Sequence, residues 1–299
     1  MKGCLVGPRK KGGSELLLEQ EGKQIFSEFL YVPLPNVTLE GGKAVYEGSE
    51  LKEFDFVLPR IPRTYLWFGY SLLSLLQDKV YLPLKPEALL LSHNKLLTLL
   101  VLKQAGLPVP ETYFSICKDV LQKNLQKLRF PLVMKLLYGS LGKGVMFADS
   151  IQAARSVLDT LERLKHPFLL QKYVPNPGED LRILVVGEEV LGGMKRIARR
   201  DERRANIAVG GRGKRTSITQ EEKQLALQAA KVVGAKVCGV DLIRGNPPVL
   251  IEVNVNVIFE EFTRCTGINV ARKILEFVEK EARGKGFIEK FVEWLRLPF

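Results

Sequence analysis

A chain of 299 residues is long enough for two or three compact units with real cores. Apolar residues at 46% and charged residues at 26% are ordinary for a soluble globular protein, which excludes disorder on a large scale. The formal charge of +12 admits nucleic acid, an anionic membrane or an acidic small substrate as partner, or simply a Lys- and Arg-rich surface. The charge is uneven: residues 195–214 hold Lys195, Arg196, Arg199, Arg200, Arg203, Arg204, Arg212 and Lys214 against only Asp201 and Glu202. No aromatic side chain interleaves with them, so a stacking surface for single-stranded nucleic acid is not indicated and a compact anion is the expected partner.

In chain order, short apolar runs at 4–7, 29–32, 54–58 and 80–82 alternate with helix-like stretches at 14–20 and 67–77, which predicts an open α/β layer. Pro83 and Pro86 break this pattern before Ser92, a candidate cap for a helix over 93–105 that Gly106 and Pro108 stop. A strand over 131–137, a glycine-rich turn over 138–144 and a strand over 145–148 follow. Ser150 is placed to cap a helix reaching about 164, and 168–174 resumes extended structure. Strands over 181–186 and 190–197 lead into the basic segment, after which Thr219 caps an amphipathic helix over 220–233 ending at Gly234. The runs 237–243 and 249–253 read as a hairpin across Gly245-Asn246-Pro247-Pro248, and helices over 267–283 and 287–295 close the chain. The run at 4–7 is too brief for a signal core, and those at 65–76 and 96–102 fall short of a span of ~20 residues, so a cytoplasmic protein with no membrane partner is expected.

Four cysteines (Cys4, Cys117, Cys238, Cys265) form no CxxC pair, and His93 and His166 are the only histidines, so neither a zinc site nor a His-based nucleophilic set is indicated. The chemistry concentrates elsewhere. Between Lys135 and Val145 lie Gly139, Ser140, Gly142, Lys143 and Gly144, a turn whose backbone can approach phosphate oxygens closely and aim N–H groups at them. It lacks the GKS or GKT of a Walker loop and the GxGxxG spacing of a dinucleotide-binding helix. Further on, Glu252 and Asn254 alternate along a strand and so share a face. If the neighbouring strand sets Asp241 opposite, three hard oxygen ligands converge, as magnesium prefers. Carboxylates set in such apolar runs need a cation partner.

In this order the segments resemble the ATP-grasp superfamily and, more narrowly, its RimK-like glutamate ligases, over about residues 92–283. The marks are Lys95, Lys135 with the 139–144 loop, Gln171-Lys172-Tyr173, Asp180-Leu181-Arg182, Arg204-Ala205-Asn206 before Gly210-Gly211, Val240-Asp241 and Glu252-Val253-Asn254. The resemblance implies an α/β chain with α+β subdomains: an N-terminal domain over 1–90, a central subdomain over 91–170 carrying the flap, and a C-terminal subdomain over 171–299 with the metal site. Nucleotide then lies in the cleft between the last two. Lys95 and Lys135 are implied to contact the ATP phosphates, Gly139, Ser140, Gly142 and Gly144 to form the flap, and Gln171, Lys172, Tyr173 and Val174 the adenine hinge. Asp180 falls at the ribose or hinge exit, Arg204 and Asn206 face the acyl phosphate, and Asp241, Glu252 and Asn254 hold Mg2+, two ions, with Mn2+ as an alternative. Lys135 and Arg204 are the implied catalytic pair.

The activity so implied is ATP-dependent joining of a carboxylate to an amine through an acyl phosphate, which needs charge neutralisation more than a covalent nucleophile. L-glutamate is the implied substrate, added to a protein tail, a cofactor or an amino-acid carrier, by an enzyme that assembles as a homo-oligomer. The basic segment suits an acceptor bearing several carboxylates. Two positions depart from the family pattern: Lys172 stands where glutamate is common, and after Asn254 the chain reads Val255-Asn256-Val257-Ile258-Phe259 instead of small residues, Pro and Gly. The second departure leaves the acceptor open. A kinase or ATP-binding protein making no amide is the alternative, and a nucleic-acid-binding protein would leave the glycine loop and acidic residues unexplained.

Overall fold

The first layer is built on strand β1 (Lys2–Gly7), whose Cys4, Leu5 and Val6 are all fully buried, as a parallel strand covered on both faces requires. The computed structural model describes residues 1–139, 142–200 and 202–295, the side chains of Lys118 and of 286–295 excepted. Helix α1 (Gly13–Ile25) carries the chain over to β2 (Glu28–Pro33), which pairs with β1 in parallel. A small antiparallel sheet, β3 (Thr38–Glu40), β4 (Lys43–Tyr46) and β5 (Ser49–Glu50), intervenes before β6 (Phe56–Pro59) joins the other edge of β1. The apolar run at 80–82 contributes only a single bridge, Tyr81 to Phe56, and not the strand its composition suggested.

Three helices follow: α2 (Leu66–Leu76), α3 (Pro86–Ser92) and α4 (Lys95–Gln104). The helix expected over 93–105 therefore starts later, and its cap is Asn94 instead of Ser92. The Ser92 hydroxyl donates to the Leu89 carbonyl, whereas Asn94 has the extended backbone a cap needs and its Oδ1 accepts from the N–H groups of Leu96 and Leu97, both at 3.1 Å. This places Lys95 at the first helical position.

The central sheet takes β7 (Thr112–Tyr113), β8 (Leu132–Leu136), β9 (Val145–Ala148) and β10 (Phe168–Lys172) in the antiparallel order β7-β10-β8-β9. Helices α5 (Lys118–Leu125) and α6 (Ile151–Arg163) cover one face, where Leu121, Leu125, Leu132, Met134, Leu158 and Leu170 form a separate core. The period of two then sends Val133 and Lys135 of β8 and Gln171 of β10 to the opposite, open face.

The third layer comprises β11 (Glu179–Val186), β12 (Glu189–Ile197), β13 (Arg212–Thr216), β14 (Val237–Ile243) and β15 (Val249–Asn254), ordered β13-β12-β11-β14-β15 with every pair antiparallel. Alternation along β11 divides two cores: Leu181, Ile183 and Val185 share one with Cys4 and Val6 of β1, while Leu184 and Val186 share the other with Leu5. Helix α7 (Gln220–Val233) fills the first; α8 (Glu260–Thr266) and α9 (Val270–Leu295) fill the second. The basic segment is thus partly sheet, because Arg212 to Thr216 pairs with the end of β12. The two terminal helices expected over 267–283 and 287–295 are one. An interior glycine such as Gly284 costs only ~1 kcal/mol, too little to break a helix whose first turns bury Val270, Ile274, Leu275 and Val278. Among the described residues no helix is long and apolar enough to cross a membrane.

The α7 boundaries are those the sequence predicts, for a local reason. Thr219 Oγ1 accepts from the Glu222 N–H at 3.1 Å, Glu222 Oε2 accepts from the Thr219 N–H at 2.9 Å, and Gly234 closes the helix at φ 76°. Thr219→Ala is expected to lower unfolding stability by about 1 kcal/mol in a urea titration.

Candidate nucleotide and metal site

The open face of the central sheet and the β11–β15 sheet enclose a cleft of about 930 Å3, mouth included. At its polar end two lysines meet two carboxylates. Lys95, at the start of α4, reaches Glu252 on β15, Nζ to Oε1 2.6 Å. Lys135, on β8, has no hydrogen bond or ion pair among the described residues. Burial, reinforced by the Lys95 charge, pushes its ammonium down to about 8 against the pull of Glu252, Asp180 and Asp241. Burial alone would raise the Glu252 carboxyl, but Lys95 outweighs it and holds it below the usual range.

Register explains the carboxylates. Asp241 on β14 lies directly opposite Glu252 on β15, beside a bulge that follows Asp241. Its other neighbour strand sets Arg182 opposite it, and Asp180 lies opposite Arg196 of β12. Cross-strand partners of opposite charge then pair: Arg182 Nε and Nη2 donate to the two Asp241 oxygens, both at 2.7 Å, and Arg196 donates to both Asp180 oxygens at 2.5 and 2.8 Å. Arg196 Nη2 also lies 2.8 Å from Asp241 Oδ2, which joins the four into one buried cluster. Burial would raise Asp241, yet Arg182 and Arg196 hold it down at about 2. Asp180 moves the other way, because desolvation outweighs Arg196 there. Asp180 is therefore a member of this cluster while still lining the cleft.

The glycine turn joins β8 to β9, as expected, with Gly142 and Gly144 at φ 77° and 78°, a region other residues resist. Arg204 Nη1 donates to the Gly142 carbonyl at 3.1 Å, and a Cβ on Gly142 would meet Asn206 Oδ1 at 2.8 Å. The turn thus folds onto the basic segment, bringing Gly139, Gly142, Arg204 and Asn206 to one wall of the cleft. Gly144 does not line it, packing instead against Leu136; Ser140 lies outside the described residues.

The far end is apolar. Val133, Val145, Phe147, Ile243 and Ile251 line it beside Gln171, Lys172, Tyr173 and Val174 at the end of β10. Gln171 is fixed by its Nε2 donating to Thr112 Oγ1 at 3.0 Å, and Arg203 stacks over Phe147 while pairing with Asp149 at 2.7 Å. Such a slot suits a flat ring, with exposed backbone at the strand exit. These apolar residues, and the bracing roles of Arg182 and Arg196, were missed in the sequence. The available signal was an arginine in the middle of an apolar strand run, which demands a buried carboxylate.

The donor set can be tested for a divalent cation. A carboxylate offers about four lone pairs. Glu252 gives one oxygen to Lys95, and its Oε2 has no partner among the described residues, so it can ligate. Asp241 already accepts three guanidinium contacts and has the least left to give. Asn254 follows Glu252 on the same strand face, opposite Gly239, and does not line the cleft. No group of three His, Cys, Asp or Glu side chains occurs in metal-binding array among the described residues, so the fit rests on the Asp241 and Glu252 carboxylates with phosphate oxygens, which is chemistry magnesium accepts.

Known proteins share this fold. The family model described as the RimK-like ATP-grasp domain matches residues 92–278. A protein of Legionella pneumophila (strain Corby) named "Probable alpha-L-glutamate ligase" is 35% identical over 253 residues, covering 83% of this chain and 84% of its own. Among solved structures, the ATP-grasp ligase PsnB complexed with minimal precursor, Mg and ADP superposes with a TM-score of 0.73 at 16% identity, over 94% of this chain and 98% of its own. The RimK domain protein ATP-grasp from Sphaerobacter thermophilus gives 0.72 at 19% identity, over 93% and 99%. The fold is ATP-grasp, and the protein is a ligase that forms C–N bonds. The chain belongs to the RimK-like ATP-grasp family.

Proposed function

We propose that this enzyme uses ATP to convert a substrate carboxylate into an acyl phosphate and then joins it to an amine, with L-glutamate as one substrate and an acidic protein tail, cofactor or carrier as the other. The observation that carries this reading is Lys135, a desolvated ammonium with no hydrogen bond or ion pair among the described residues, at the polar end of a cleft whose other end is apolar. A phosphate chain supplies the missing charge. The name of the Legionella relative supports glutamate, and the edge strand β13, with exposed Arg212, Lys214 and Arg215, supports a partner rich in carboxylates.

Each residue has a task in this reading. The base stacks in the apolar slot against the Gln171–Val174 exit, Lys95 and Lys135 hold phosphate oxygens, and Gly139 and Gly142 cover them. Arg204, already turned onto the flap, neutralises the transferring group, and Asn206 contacts it. Asp241, Glu252 and Asn254 would hold magnesium, two ions or manganese in their place, supplying positive charge to the phosphates. The PsnB structure with Mg and ADP is consistent with such an ion. Arg182 and Arg196 keep Asp241 ionised and aimed. The proposed division is an N-terminal domain over 1–90, a central subdomain over 91–170 and a C-terminal one over 171–299.

Glu252→Gln removes a charged ligand and the Lys95 partner while keeping size, and turnover is expected to fall about 100-fold or more with a normal thermal unfolding profile. Steady-state ADP release at saturating magnesium checks this; activity within a few-fold of the parent would remove Glu252 from the metal site. A stable phosphoester in place of an amide, read by mass spectrometry, would turn the reading into that of a kinase.

A further inference from the structure

The carboxyl ends of the parallel strands β1 and β6 form the edge at which an open sheet of this kind ordinarily receives a ligand. Here the chain's own residues 256–260 occupy that edge. Arg60, the residue after β6, donates from Nη1 to the Val257 carbonyl and from Nε to Glu15 Oε1 of α1, both at 2.8 Å. Ser14 Oγ accepts from the Phe259 N–H at 3.0 Å, and the Ser14 N–H donates to Glu260 Oε1 at 3.0 Å. Asn256 Nδ2 donates to the Ile61 carbonyl at 3.3 Å. The segment that follows Asn254 is thereby stitched to the first layer at Asn256, Val257, Phe259 and Glu260.

The centre of this stitching is an ion pair almost without solvent: the Arg60 and Glu15 side chains are 6% and 8% exposed. The other surroundings of Arg60 are apolar, with Leu18, Leu58, Leu84, Val255 and Ile274 lining a small cavity beside it. Apolar side chains of similar volume would serve stability there about as well, so the pair is better explained by the geometry it fixes. What it fixes is Val257, and Val257 reaches the carboxylate cluster. A Cβ added to Gly239 of β14 would meet Val257 Cγ2 at 2.8 Å and Arg182 Nε at 3.5 Å. Gly239 has no positive φ, so space and not backbone conformation demands a glycine there. Arg182 Nε is the atom that donates to Asp241 Oδ1 at 2.7 Å. Asp241 has few lone pairs left, and the seat of Arg182 decides which of them stay open to a cation.

We propose that Arg60 is a positioning residue for the cation site. Held by Glu15, it fixes Val257 as the wall beside which Arg182 sits, and Arg182 in turn orients the Asp241 carboxylate. The inference rests on the reading of Asp241 and Glu252 as metal ligands. It gives the first layer a part in that site without any contact to the ion. It also gives a role to the run Val255-Asn256-Val257-Ile258-Phe259, where the chain departs from the family pattern. A loop of small residues, Pro and Gly would leave the space over Gly239 unfilled, whereas the Val257 side chain fills it.

The test is Mn2+ binding to the full chain with a saturating non-hydrolysable ATP analogue, read by EPR of the free ion. Affinity for the same analogue in EDTA is the second readout. Val257→Ala leaves the ion pair in place and is expected to weaken Mn2+ about 10-fold. Arg60→Met combined with Glu15→Met exchanges the pair for apolar residues and should weaken Mn2+ similarly while still unfolding cooperatively. Arg60→Lys should recover part of the loss. Analogue affinity in EDTA should stay within about 2-fold of the parent in all of these, because the base slot and its lysines are untouched. Val278→Ala, an equal truncation in the same core, is the control: it should lose stability and keep its Mn2+ affinity. Mn2+ affinity within about 2-fold of the parent in Val257→Ala, or an equal loss in Val278→Ala, would overturn the positioning role. A double variant that folds and binds Mn2+ as the parent does would overturn it too; if that variant does not fold, Val257→Ala and its control decide. The metal reading fails in a different way, by a parent protein that binds the analogue but no Mn2+ with it, and the positioning role then falls with it.

Discussion

Lys135→Met is expected to abolish ligation while making the ligand-free protein more stable. Turnover should drop about 100- to 1000-fold, because a charge aimed at the transferring phosphoryl group is worth ~3–4 kcal/mol in the transition state. The stability change has the opposite sign from most core substitutions. In the folded chain the Lys135 ammonium sits at about 8, below its ordinary value of 10.5. A cation whose folded value is depressed destabilises the native state at neutral pH, and the penalty disappears as pH rises from about 8 to 10.5, where the unfolded chain also loses the proton. At pH 7 the parent therefore gives up as much as about 3 kcal/mol, and methionine of similar length recovers part of it. Urea titrations at pH 7 and near pH 10 check the claim: the variant's advantage should be clear at the first and small at the second. A destabilised variant, or one that still turns over, would mean that Lys135 does not wait for an anion.

Arg196→Ala should have the largest purely structural effect. It leaves Asp241, which is buried, and Asp180, which is partly buried, with Arg182 as the only guanidinium among the described residues that still pairs with either. Removing one member of a buried ionic cluster costs about 3–5 kcal/mol, since the remaining charge loses its compensation. The sign with pH follows from Asp241. Its folded value of about 2 lies below the ordinary 3.8, so in the parent it contributes stability above pH ~4 that is lost as pH falls toward 2. The variant's deficit should accordingly be greatest near neutrality and shrink in acid, where both carboxylates take up protons. Guanidinium titrations at pH 7 and pH 3 measure it; a variant within about 1 kcal/mol of the parent at pH 7 would contradict a clustered charge network.

The contrast between these two sites shows what the sequence could disclose. The glycine turn, Asp241 and Glu252 are legible because each signal is local, glycines where the backbone must adopt positive φ and carboxylates inside apolar strand runs, whereas the roles expected of Lys135 and Arg204 came only from the family resemblance. Helix α7 is legible to the residue because its cap and its terminating glycine are both encoded within one turn. The start of α4 was misread, since Ser92 and Asn94 are equally good caps on paper and only the backbone at Asn94 selects it. The join within α9 was misread because burial of its first turns overrides a glycine. The bracing of Asp241 by Arg182 and Arg196 was out of reach, as it depends on how three strands register side by side.

Amide formation through an acyl phosphate is most directly tested with a carboxylate substrate labelled with 18O in its carboxyl group, incubated with the enzyme, ATP, magnesium and L-glutamate. The expected result is an amide product with one 18O carried into the inorganic phosphate and ADP released in equal amount. Unlabelled phosphate beside the amide, or release of AMP and pyrophosphate, would contradict it.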